Sequence, residues 1–66
     1  MKNQIYTIVY ANGFTGMQDV AGYRSTVRGA QFLAKSFLKD VRLCKGVKIY
    51  KGQPGGEVIF KTGYIL

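Results

Sequence analysis

Sixty-six residues with 10 Lys and Arg, 3 Asp and Glu and no His carry a net charge of +7, with a pI near 9.9. The length allows one domain over 1–66, and 47% hydrophobic against 20% charged residues excludes a disordered basic tail. Cys44 is the only cysteine, which excludes a disulfide framework, and without His there is no Cys/His zinc site.

The first predicted element is a strand over Gln4–Ala11, rich in β-branched and aromatic residues. Neither of its faces is plainly polar, which suits a central position in a sheet. Asn12-Gly13 gives a turn signal, and Gly16 a second. Residues Met17–Tyr23 then read either as a short strand completing a hairpin or as an ordered loop, since Asp19 and Gly22 both weaken a strand.

Ser25 or Thr26 can cap a helix, its hydroxyl accepting from a backbone N–H one turn on. The spacing predicts that helix over Val27–Cys44, with Ala30, Leu33, Ala34, Phe37, Leu38, Val41 and Cys44 on its core face. Gly46 reads as its stop, and Lys45 complements the dipole. Val47–Lys51 and Glu57 to about Thr62 read as two strands joined by a turn over Gly52–Gly56, followed by an apolar tail of Tyr64, Ile65 and Leu66. The expected fold is α+β, order β(β)αββ, with one helix on one face of a small antiparallel sheet of three or four strands. The apolar C-terminal strand leaves an edge through which a homodimer can form.

The charge has a predicted location. Opposite the helix core face, Arg28, Lys35, Lys39 and Arg42 fall within an arc of about 60°, with Phe32 and Leu43 beside Lys39 and no acid interrupting. Four like charges at helical spacings cost a few tenths of a kcal/mol each. An exposed Phe32 among them suggests a contact face rather than a merely solvated one, and Arg24 extends it. The sheet offers a second candidate. If the helix covers Ile5, Val9 and Ile49, then Tyr6, Tyr10, Lys48 and Tyr50 point the other way, joined by Phe60 or Tyr64 according to register. Aromatic rings interleaved with Lys on a sheet can stack bases while ammonium groups hold phosphates.

Chemistry is harder to build. General acid–base catalysis usually uses a His or two carboxyls in different environments, and Asp19, Asp40 and Glu57 are well separated. Cys44 has only Lys and Arg neighbours and reads as a small apolar residue. Gly13-Phe14-Thr15-Gly16 matches G-x-x-G but sits between strands and lacks basic middle residues. No phosphate loop follows the turn over Gly52–Gly56, and no RNP1 pattern occurs. No enzyme, metal or cofactor is expected.

No segment reads as a secretion signal, none reaches the ~20 apolar residues that span a bilayer, and the helix needs its apolar face for the core. A cytoplasmic protein without membrane contact is the expectation. The leading function is non-specific binding of DNA or RNA by the basic helix face. In size, single-domain economy and strand–helix–strand–strand order, the chain also resembles small inhibitors made by phages and mobile elements, including anti-CRISPR proteins. That resemblance implies binding to an acidic or nucleic-acid-handling host protein, with Phe32 at the contact, and it carries over no functional residue.

Overall fold

The computed structural model describes residues 4–66. Four strands, β1 (Tyr6–Asn12), β2 (Gln18–Arg24), β3 (Cys44–Lys51) and β4 (Glu57–Gly63), form one sheet in the order β2-β1-β3-β4. All neighbours are antiparallel. One helix, α1 (Val27–Leu38), packs on one face. The fold is the expected α+β, with β1 in the interior of the sheet.

Residues 18–24 form a strand despite Gly22 and Asp19. A bulge lets them do so: Ile8 pairs with Gly22 and Val9 with Val20, so Ala21 is the extra residue. Thr26 caps α1, its hydroxyl accepting from Gly29 N–H at 3.1 Å. Small residues set the helix close to the sheet. Ala30 and Ala34 are fully buried against Ile8, Cys44, Val47 and Ile49, with Leu33, Phe37 and Leu38 packed around them.

The helix is shorter than the spacing predicts, ending at Leu38 rather than at Cys44. Asp40 turns the chain out of it. The Asp40 carboxylate accepts from the backbone N–H groups of Arg42 and Leu43, each at 3.2 Å, and its carbonyl accepts from Cys44 N–H at 2.9 Å. A short acidic side chain competes with the helix for backbone donors in this way. Cys44 is therefore buried as the first residue of β3, opposite Asn12, while Val41 is left 70% exposed. Gly46 is no helix stop. It lies within β3, where a Cβ would meet Tyr64 N at 2.7 Å and Thr62 O at 2.9 Å.

The sheet faces are also reversed relative to expectation for β1. Ile49 does face the helix, but it lies opposite Ile8, and Val47 lies opposite Tyr10. Cross-strand partners share a face, so Tyr6, Ile8 and Tyr10 turn toward α1 and Thr7 and Val9 turn away. The Tyr10 ring meets Phe37 at 4.8 Å between centroids. Phe60, opposite Ile49, joins the same core.

The opposite face is partly covered by the chain's last residues. Beyond Gly63 the tail crosses over Gly46, buries Ile65, and brings the Leu66 carbonyl to the Lys48 ammonium and the Gln18 amide. At the other end of this face, the Thr7 hydroxyl donates to Gly52 O at 2.7 Å and Ile5 O accepts from Gly52 N–H. Thr7, Val9 and Lys48 are buried although no helix covers them.

Candidate nucleic-acid interface

The twelve residues of α1 contain no acid, and its polar side carries Arg28 and Lys35 with Lys39 as the C-cap residue. All three are exposed. Phe32 stands between Arg28 at i−4 and Lys35 at i+3, so it shares their face by helical geometry, and it is 77% exposed. The aromatic ring and the cations therefore lie together on the side of the helix away from the sheet.

Arg42 does not lie on this helix face. It sits in the turn after α1, exposed, at the end of the molecule to which Lys39 leads. Leu43, expected beside Lys39, is half-buried in the same turn. Arg24 ends β2, where its stem lies near Gly29 and its guanidinium donates to Tyr23 O at 2.7 Å. Gly29 is on the flank of α1 by the ~100° step per residue, so Arg24 borders the basic line rather than extending it. Lys2 lies outside the described residues.

The sheet-face set divides. Tyr6 and Tyr10 are withdrawn into the helix-side core and offer no stacking platform. Lys48 and Tyr50 share the helix-free face, with the ammonium 5.2 Å from the ring centroid. That ammonium is engaged by the Leu66 carbonyl, and Lys48 is only 7% exposed. It is a structural cation holding the tail.

A further cluster, at one end of the sheet, was not foreseen as a site. The β1–β2 turn presents Phe14 and Met17, the α1–β3 turn Val41 and Arg42, and the tail Tyr64, all strongly exposed. The two turns are joined by Gly13 N–H donating to Leu43 O, and the tail by Tyr64 N–H donating to Lys45 O at 2.8 Å. The turn signal of Asn12-Gly13 and Gly16 was visible in the sequence; the company Phe14 keeps was not.

Cys44 is buried, and its thiol lies 3.4 Å from the Gly46 carbonyl. Loss of solvent raises its pKa above the ordinary thiol value, the nearby Asp40 charge adding to this and the Gly46 backbone contact opposing it. A thiol so placed is a core residue, not an activated nucleophile. Among the described residues, no three His, Cys, Asp or Glu side chains gather as a metal set, and no helix is long and apolar enough to cross a membrane. Compared with protein families, with characterised proteins and with solved structures, the chain matches none.

Proposed function

We propose that this protein is a non-enzymatic binding module of the cytoplasm that holds nucleic acid, without sequence preference, on the outer face of α1. The observation that carries this is Phe32, 77% exposed between Arg28 and Lys35 on a helix without an acid. A solvated surface has no need of an aromatic ring this exposed among cations, whereas a polyanion with apolar sugars and bases matches both features. The +7 charge supplies the long-range attraction. Arg28, Lys35 and Lys39 meet phosphates, Arg42 meets one beyond the end of the helix, and Phe32 meets a sugar or base. No base-reading pattern is present, so affinity follows phosphate density.

The test is fluorescence anisotropy with labelled duplex DNA, single-stranded DNA and RNA. The Lys35→Glu/Lys39→Glu variant is expected to lose about 100-fold or more in affinity at low salt, because two phosphate contacts become repulsions. Both side chains project into solvent, so its thermal unfolding should match that of the parent. Retained binding in a folded variant would refute the helix face. A host protein captured equally after nuclease treatment, and lost in the same variant, would instead assign the face to an acidic protein partner.

A further inference from the structure

Five strongly exposed apolar side chains crowd one end of the sheet: Phe14 (72%), Met17 (67%), Val41 (70%), Tyr64 (88%) and Leu66 (95%). Each is costly to leave in water, and no other region of the described chain gathers so many.

Their support is rigid. The Asn12 carboxamide oxygen accepts from Phe14 N–H at 2.8 Å and Thr15 N–H at 3.2 Å, while the Thr15 hydroxyl accepts from Met17 N–H. Asn12 and Met17 also close the turn through their backbones at 2.8 Å. Gly13 fits only without a side chain, since a Cβ there would collide with the Arg42 carbonyl and lie 2.8 Å from Lys45 Cε. Phe14 is thus held out by a turn braced against a neighbouring turn, and little conformational entropy remains to be lost on binding.

The charge around these side chains is positive. Arg42 and Lys45 flank the β1–β2 turn, the exposed Lys45 ammonium using one of its three donors on Val41 O at 3.0 Å, and Lys61 lines a cleft of about 430 Å³ with Gly16, Gln18 and Tyr64. Three cations outnumber the two acids nearby. Asp40 accepts from two backbone N–H groups, and Asp19 accepts from the Asn12 amide at 3.0 Å. A protein-docking patch concentrates its apolar residues and excludes charge from the centre. Here cations stand within the apolar group: Lys61 and the Gln18 amide line the same cleft as Tyr64 and Leu66, and exposed Arg42 follows exposed Val41 in one turn. That pattern suits planar bases on a charged backbone.

We propose that this end of the sheet takes single-stranded nucleic acid, stacking unpaired bases on Phe14 and Tyr64 while Arg42, Lys45 and Lys61 hold the adjoining phosphates. The proposal rests on the nucleic-acid function proposed above and deepens it. Lys39 and Arg42 connect the end to the face of α1, so a strand seated on the helix continues onto the rings. A duplex uses the helix alone, because its bases are not available for stacking.

The experiment compares a labelled oligo-dT with a hairpin duplex of equal phosphate number. Phe14→Ala/Tyr64→Ala is expected to weaken oligo-dT binding about tenfold or more and to change duplex binding by less than about twofold, given the usual worth of base–aromatic stacking. Both side chains are exposed, so the variant should keep the parent's unfolding transition. The chain has no Trp, and Phe14→Trp therefore installs a sole reporter whose emission should be quenched by oligo-dT and not by the duplex. Unchanged oligo-dT binding in Phe14→Ala/Tyr64→Ala, with binding lost in Lys35→Glu/Lys39→Glu, would overturn this inference and leave the helix reading intact. Equal losses for both nucleic acids would overturn it as well. A parent protein that binds neither would overturn both; binding to phosphatidylserine vesicles that Phe14→Ala/Tyr64→Ala removes would then give the end to a bilayer.

Discussion

The two broad faces of this molecule use the same residue types to opposite ends. On α1, Arg28 and Lys35 are exposed around Phe32, and helical spacing keeps their charges apart but unscreened by any acid of the helix. On the helix-free side of the sheet, Lys48 and Tyr50 also form a cation–ring pair, yet the ammonium is buried under the tail and bonded to Leu66. The lesson is that composition does not distinguish a contact face from a structural one. A lysine whose donors are satisfied internally contributes to the fold; a lysine beside an uncovered ring keeps its charge for a partner.

Substitutions can break this contrast or sharpen it. The largest effect is expected where the faces share a core. Ile49→Ala should cost about 2–5 kcal/mol of stability, because Ile49 is fully buried between Ile8 and the helix; chemical denaturation measures it, and a loss below 1 kcal/mol would deny that common core. Gly46→Ala should cost about 1–3 kcal/mol by pushing the tail off the sheet, since the new Cβ meets Tyr64 backbone atoms at 2.7 and 2.8 Å. Amide exchange at Tyr64, whose N–H is bonded to Lys45 O, should accelerate with it. The sharpest pair is Lys48→Ala against Lys35→Ala. The first should cost about 1–2 kcal/mol through the lost bond to Leu66 and leave nucleic-acid affinity unchanged. The second should alter stability by less than about 0.5 kcal/mol and weaken binding several-fold. An inverted outcome would exchange the roles of the two faces.

The smallest effect concerns pH. The folded state holds the Cys44 thiol neutral more strongly than the unfolded chain does, so the unfolded chain releases this proton first. The contribution is fully present below the ordinary thiol pKa of 9.0 and is lost as pH rises through the higher folded value. Cys44→Ala should flatten that part of the stability–pH curve relative to the parent. An identical decline in both would show that other groups cause it.

Much of this was legible in the residues. Thr26 and the spacing of Ala30, Leu33, Ala34 and Phe37 identified the helix and its buried side, and with it the outward position of Arg28, Phe32, Lys35 and Lys39. Its end was illegible for a specific reason: Val41 and Cys44 continue the helical spacing by chance, while Asp40 alone signals the turn. Arg42 was drawn onto the helix face by that error. The faces of β1 were ambiguous because Tyr6, Ile8 and Tyr10 alternate with Thr7 and Val9, so neither side is polar. Pairing of Ile8 with Ile49 decided the matter, and register across strands so distant in the chain leaves no local trace. The tail's path over Gly46 and the gathering of Phe14 with Tyr64 are likewise products of tertiary contact.

The central claim is that the outer face of α1 carries a polyanion, and the salt dependence of duplex affinity tests it most directly. With Arg28, Lys35 and Lys39 each neutralising a phosphate, log K against log salt should fall with a slope of about −3. In Lys35→Glu/Lys39→Glu the slope should collapse toward zero. A parent slope near zero, or one unchanged by the double reversal, would contradict the account.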